Sequence, residues 1–353
     1  MTDGVTKDAA PVHSRRWRWY FAAIAGFVAT YALIWVAVLK DLRGSPFRWH
    51  RTNDGAILRK YIPRKAISMF ASDNQSTSQK IPRLIHQSWK NIDYIPDKFE
   101  PWMHSWRVKN PTFDYMFWDD DDNLKLFEVH FPQYYPMARQ LRKIHLADMT
   151  RYALLYRYGG VYADLDFESL ASFEDLLHYD LFLSYEPFVH SVLLEGASEP
   201  VLCNAILASR PGHPFWIEVL DRIKTMFETS DDRDPVSLTG PRMVQGTVSA
   251  RHGNLTDIAL LSEEYFYPDV AYWNMGNLEN NCKHMKDKPQ SVKDACAWLQ
   301  KYPMGRKTNN THAVHHWQCT WCRGDNTNSY LALDDIFPRQ VVYRPHFDDS
   351  IVL

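Results

Sequence analysis

Asp164 and Asp166 stand two apart behind the apolar run Gly160-Val161-Tyr162-Ala163. On a strand spanning Val161 to Phe167 that spacing sends both carboxylates out of the same face. Nothing nearby in the sequence neutralises them, and two carboxylates about 5 Å apart repel by roughly 3 kcal/mol at an effective dielectric near 20. A divalent cation between them is the simplest resolution. On this reading, Asp166→Asn removes a repulsion and leaves the fold as stable as the parent or slightly more so. Upstream, Asp148 and Arg151 are three apart on a helix and share a face, which adds an acceptor and a cationic donor.

The elements that must position these groups are legible from periodicity. Leu141, Ile144, Met149, Tyr152, Leu155 and Tyr158 recur at three- and four-residue steps, predicting a helix that Gly159-Gly160 stops. Leu84 to His86 reads as a buried strand leading to Trp89. Trp102, Ser105 and Trp106 lie at helical spacing between Lys98 and Lys109, and Asn110-Pro111 ends that run. Tyr115 to Trp118 reads as a short strand. The run Asp119 to Asp122 reads as a cap and the acidic first turn of a helix toward His130, favoured by the helix dipole, rather than as a calcium loop. Leu181 to Tyr185 is another strand. This alternation predicts an α/β sheet with the acidic pair near a strand's C-terminal edge, where open sheets bind ligands.

With 353 residues, 45% of them hydrophobic, the chain can build one sizeable core with appendages. Its formal charge of −2 gives no polyelectrolyte signal, so nucleic acid is not an expected partner. Residues 1–18 read as a short polar tail. Residues 19–39 hold no charged side chain and have the length of a membrane-spanning helix, with Trp17, Trp19, Tyr20 and Trp35 near the interfaces. A cleaved signal peptide and a buried core helix are the alternatives. Lys7, Arg15, Arg16 and Arg18 before the span balance Lys40, Arg43, Arg48 and Arg51 after it, so charge leaves orientation open. Three glycosylation triplets, at Asn74, Asn254 and Asn309, favour a lumenal C-terminal part. Residues 40–79 read as a stem and 80–353 as the folded domain. Cys282 and Cys296 can pair, as can either with Cys319 or Cys322, which leaves Cys203 as the odd one. Zinc at Cys319-x-x-Cys322 with His315 and His316 is a rival reading.

The compound pattern Asp148-x-x-Arg151 followed by Leu154-Leu155-Tyr156-Arg157-Tyr158-Gly159-Gly160-Val161-Tyr162-Ala163-Asp164-Leu165-Asp166 resembles the DxD sugar-binding region of glycosyltransferase family 32. That family includes Golgi mannosyltransferases of outer-chain glycans and those that mannosylate inositol phosphoceramide; the clostridial glucosylating toxins share the signature. Ile81-Pro82-Arg83-Leu84-Ile85-His86-Gln87-Ser88-Trp89 is similar to the family's opening block. Asn204 with Ser209 to Phe215, and Thr239-Gly240-Pro241, are similar to two internal blocks. Ala313 to Trp321 is similar to the closing block, with Cys319 where glycine is usual.

The resemblance implies a GT-A-type, Rossmann-like domain behind one transmembrane helix, in a type II protein of the Golgi or ER membrane. By the same resemblance Trp89 stacks on the nucleotide base, Asp148, Arg151 and Tyr162 orient the nucleotide sugar, and Trp321 meets the diphosphate through its indole N–H. Asp164, Asp166 and Asn204 line the reacting centre, though the residues themselves allow Asn204 to be a cap or turn. Mn²⁺ is implied at Asp164, Asp166 and His316, where packing of the histidine against Trp317 and Trp321 is the alternative. The expected reaction is retaining transfer of a hexose, with GDP-mannose preferred over a UDP-hexose as donor. A glycan acceptor is favoured because residues 322–353 lack the apolar spans usual in the inositol phosphoceramide enzymes; a sphingolipid acceptor is the alternative. Two other classes compete. A haloacid dehalogenase-type phosphatase also uses a DxD but wants Thr or Val where this chain has Glu168, and a catalytically silent sugar-binding module would favour loss of an aspartate, yet both are present.

Overall fold

The computed structural model describes residues 59–61, 79–324, 327–337, 342–345 and 347. The tail expected at 1–18, the span expected at 19–39 and most of the stem expected at 40–79 lie outside the described residues. Among the described residues no helix is long and apolar enough to cross a membrane.

Eight strands form one sheet, in the order Arg59–Tyr61, Tyr343–Pro345, Asp114–Trp118, Leu84–Ser88, Gly160–Ala163, Leu202–Ser209, Leu181–Tyr185, Ala259–Leu261. Every neighbouring pair is parallel except those made by Leu202–Ser209, which runs against both of its partners. Its eight residues are all buried, as near-continuous apolar runs in two-sided sheets must be. Alternation along the strands divides the core in two. Leu84, Met116, Trp118 and Tyr162 face the helices Lys143–Tyr158 and Phe215–Thr229, where Tyr152 stacks on Trp216 at 5.6 Å. Ile85, Tyr115, Phe117, Val161 and Ala163 face the helix Glu100–Lys109 and the aromatic group of Phe167, Phe173 and Phe182. A mixed α/β sheet covered on both faces is the result.

Local expectations are met at several points. Asp119 caps the helix Asp120–His130, accepting from the N–H groups of Asp121 and Asp122 while the Asp122 side chain accepts from Asp119 N–H. Gly159 and Gly160 take φ of 64° and 100°. A Cβ on Gly159 would stand 2.7 Å from Pro211, and one on Gly160 would stand 2.4 Å from the Leu84 carbonyl oxygen. Glycine is required there by both conformation and space.

The acidic pair departs from expectation. The strand stops at Ala163, and Asp164, Leu165 and Asp166 lie in a turn before a second short strand, Phe167–Ser169, which pairs with Ala313–His315. The turn closes with Phe167 N–H donating to Asp164 O at 3.1 Å. A change of sheet partner, not a shared strand face, brings the two carboxylates to one place.

Two buried histidines make the fold acid-sensitive. His86 accepts from Trp118 Nε1–H at 3.1 Å and its Nε2 meets Gly159 O at 2.9 Å, a pattern that suits the neutral ring. Burial lowers its pKa to about 4, against the opposing pull of the Gly159 carbonyl. His190 accepts from Ala271 N–H at 3.0 Å, and burial lowers it to about 3. The unfolded chain takes up these protons below its own pKa near 6.5 while the fold refuses them. Stability is therefore full above that value and is lost as pH falls toward the folded values. Between pH 7 and pH 5 each histidine should cost about 2 kcal/mol. Urea midpoints at the two pH values measure this, and equal midpoints would refute it.

Candidate active site

Parallel strands end where an antiparallel neighbour begins, so the C-terminal ends of Leu84–Ser88, Gly160–Ala163 and Leu181–Tyr185 share an edge with the start of Leu202–Ser209. A cleft of about 590 Å³ opens there, within the range of small-ligand sites. Trp89, Arg151, Asp164, Asp166, Asn204 and Trp321 all line it, so most of the residues singled out from the sequence converge.

Arg151 is the hub. Its guanidinium donates to Asn204 O at 2.6 Å and reaches Asp148 Oδ1 and Asp164 Oδ1, each at 3.2 Å. Its charge also lies 4.8 Å from the Tyr162 ring, and Tyr162 O–H donates to Asp164 Oδ1 at 2.7 Å. Burial would lower the Arg151 pKa, but Asp164, Tyr162 and Asp148 outweigh it and hold the group charged. Burial raises Asp148 and Asp164 against the pull of Arg151. Asp148 is enclosed: Arg151 and Asn204 Nδ2 occupy Oδ1, and Thr239 O–H donates to Oδ2 at 2.8 Å. Its geometry is that of a positioning group behind Arg151. Asn204 gives its amide to Asp148 and to the Tyr152 hydroxyl at 2.9 Å, so it is a strand residue locked from behind, neither cap nor turn. Thr239 and Gly240 form the joint between the helices Pro235–Leu238 and Pro241–Ala250, and Gly240 borders the cleft.

Asp166 is held from the other side of the turn. His315 Nε2 meets its Oδ1 at 3.2 Å, and Gln318 N–H donates to its Oδ2 at 2.8 Å. Burial pushes this carboxyl up, but His315 and the Gln318 N–H more than cancel that, leaving it below the usual carboxylate range. His316, expected on the metal, does not face Asp166. Its ring lies flat against Trp102 at 4.0 Å and its Nε2 meets Glu168 at 3.1 Å. Successive residues of a strand point to opposite faces, and pairing of Ala313–His315 with Phe167–Ser169 turns His315 inward.

Carboxylate oxygens with one imidazole suit a divalent transition-type cation. Among the described residues no group of three or more His, Cys, Asp and Glu side chains is arranged to hold a metal ion. The two carboxylates that border the cleft, Asp164 and Asp166, suit a cation completed by a ligand's phosphates, as is common for ions held through one or two carboxylates.

Trp89 packs edge-on to Phe99 at 5.1 Å and gives its indole N–H to Tyr94 O, and it still borders the cleft. Trp321 is 51% exposed and stands at the cleft. Sequence reasoning missed His315, the Gln318 amide and Glu186. Glu186 also lines the cleft, held far above the usual carboxylate range by burial and then by neighbouring Glu195. Its position directly after the strand Leu181–Tyr185 was the available signal. The cysteines pair as Cys282–Cys296 and Cys319–Cys322, with Cys203 free and buried, which replaces the zinc reading. Asn254 and Asn309 are exposed, and Asn74 lies outside the described residues.

Residues 96–183, which contain the helix, the turn and both aspartates, match the family described as glycosyltransferase sugar-binding region containing DXD motif. The matched segment carries the signature of the DXD glycosyltransferases. The chain is 31% identical over 153 residues to inositol phosphoceramide mannosyltransferase 3 of Schizosaccharomyces pombe, covering 42% of this chain and 38% of that one. It is 29% identical over 181 residues to inositol phosphoceramide mannosyltransferase 1 of the same yeast, covering 47% and 53%. The initiation-specific alpha-1,6-mannosyltransferase of Candida albicans is 23% identical over 211 residues, covering 50% and 55%. The chain thus spans about half or less of the length of these three relatives.

Proposed function

We propose that this chain is a retaining, metal-dependent glycosyltransferase of GT-A type that moves a mannose from GDP-mannose. The observation that carries this reading is the Asp164–Asp166 turn, braced at the cleft by Arg151 and Tyr162 on one side and by His315 and the Gln318 amide on the other. A bound divalent cation would be held by Asp164 and Asp166, and would supply charge stabilisation to the departing diphosphate. Arg151 works against the burial of Asp164 and aims it at the cleft. Gln318 N–H and His315 fix the Asp166 carboxylate, so no reorganisation is needed as a ligand enters. Trp321 offers its indole N–H to the diphosphate, Trp89 offers its ring for stacking on the base, and Asn204 Oδ1 is left for the sugar or acceptor.

The yeast relatives shift the acceptor from the glycan favoured by sequence toward the sphingolipid alternative, an inositol phosphoceramide-type lipid. A membrane-borne acceptor agrees with an anchor at 19–39 and a lumenal domain in the Golgi or ER. A gel-mobility shift on endoglycosidase treatment of the expressed protein tests that orientation, and none of the protein shifting would reverse it.

Donor hydrolysis and transfer against a panel of UDP- and GDP-sugars with Mn²⁺, using inositol phosphoceramide and oligomannose acceptors, tests the reaction. GDP-mannose should be turned over, with the lipid preferred. Trp321→Ala should raise the donor KM about tenfold, as loss of one hydrogen bond to a charged group does, with Tm unchanged because the side chain is half exposed. No turnover of any sugar nucleotide would leave the silent-module reading in its place.

A further inference from the structure

The closing loop of the cleft contains a cross-link that the proposed chemistry does not use. Cys319 and Cys322 are joined, three residues apart with 5.5 Å between their Cα atoms, and Trp321 lies inside the loop they close. Cys319 takes φ of 42°, in the left-handed region, and Trp317 two residues earlier takes 52°. Neither is glycine, so both conformations persist only where surroundings impose them. Trp317 is imposed by hydrogen bonds: its carbonyl accepts from Trp273 Nε1–H at 2.7 Å and its own indole donates to Asp269 O at 3.0 Å. For Cys319 the constraint is the disulfide together with the tight turn in which Cys319 O accepts from the N–H groups of Cys322 and Arg323.

Residue 319 is therefore a joint. On one side Gln318 is fixed on Asp166 by its N–H; on the other, Trp321 stands at the cleft mouth. Rotation about φ of Cys319 toward ordinary negative values swings Trp321 away from its place relative to Asp166. We propose that the Cys319–Cys322 disulfide is a positioning element of the donor site, holding Trp321 in fixed orientation to the Gln318–Asp166 contact so that opening the bond weakens donor binding. This rests on the reading of the cleft as a sugar-nucleotide site.

The bond is within reach of reagents, since Cys322 is exposed. Reduction breaks the S–S bond: a dithiol such as dithiothreitol supplies two electrons and two protons, leaving two thiols on the chain and the reagent as its cyclic disulfide. A cross-link over so short a loop removes little entropy from the unfolded chain, so its role shows in the site and not in global stability. The second disulfide, Cys282–Cys296, packs beside Val189, Val192 and Leu193 and does not border the cleft, so its removal leaves the cleft lining unchanged.

The test uses the full chain with Cys282→Ser/Cys296→Ser as background, so that a single disulfide responds. Adding dithiothreitol, or the further change Cys319→Ser/Cys322→Ser, should raise the donor KM about tenfold, in the range for loss of a group that supports a ligand-binding residue. Tm should move by no more than about 2 °C. Cys319→Gly/Cys322→Ala should recover part of the affinity, because glycine adopts φ of 42° without strain, a rescue that a cross-link serving only stability would not show. An unchanged KM after reduction overturns the proposal, as does a glycine variant no better than the serine one. If Asp166→Asn also leaves donor binding intact, the reading of the site fails as well; if Asp166→Asn abolishes it, only the role of the disulfide is refuted.

Discussion

Asp166→Asn should lower transfer by at least about a thousandfold, since a charge that stabilises the transition state is removed at its source. It should also destabilise the fold by roughly 1–2 kcal/mol, the worth of hydrogen bonds to a charged group. The second expectation reverses the one drawn from sequence, where loss of one of two repelling carboxylates promised relief. In the folded chain the repulsion is already met: Arg151 lies against Asp164, and His315 with the Gln318 amide lies against Asp166. Donor hydrolysis and the thermal shift on adding Mn²⁺ are the measurements. If the variant keeps both its turnover and its Mn²⁺-induced shift, the turn is not the metal site and the proposed mechanism has no basis.

Arg151→Met should cost more stability than any other single change at the cleft, about 3–5 kcal/mol, because it strands Asp148 in the interior and leaves Asp164 without its cation. Arg151→Lys should recover only part of that, since an ammonium cannot reach Asn204 O and two carboxylates in one fork. The pair Arg151→Met/Asp148→Asn should be more stable than Arg151→Met alone, because the second change removes the buried charge that the first uncovered. Urea denaturation of the three variants decides this. An Arg151→Met protein unfolding at the parent's midpoint would mean that Asp148 is protonated and needs no partner.

The parts of the site that lie close together in the chain were legible. Asp148 and Arg151 share a helix face at three-residue spacing, and the helix that carries them ends at a glycine pair whose need is local. The parts set by distant pairing were not. Nothing in Val161 to Phe167 shows that pairing stops at Ala163, because the partner of Phe167–Ser169 lies far downstream at Ala313–His315. The choice between His315 and His316 is a matter of register, where one residue of slip exchanges the two faces of a strand. Asn204 could be read as a cap because its strand partners, Gly160–Ala163 and Leu181–Tyr185, are invisible from its own neighbourhood. The tail, span and stem expected at 1–79 lie almost entirely outside the described residues.

Asp166 and the partners that hold it, His315 and Gln318, stand 149 and 152 positions apart. A ribosome makes the aspartate long before the histidine. The sheet strands from Leu84 to Leu261 can assemble while the last segment is still in the exit tunnel, but the carboxylate then faces the cleft without its brace. A long interval of this kind is the costly part of a non-local topology, because the loop must be closed before any contact repays it. The brace on Asp166 is therefore completed late, after the core, and any ligand that favours the completed cleft draws that docking step forward by mass action.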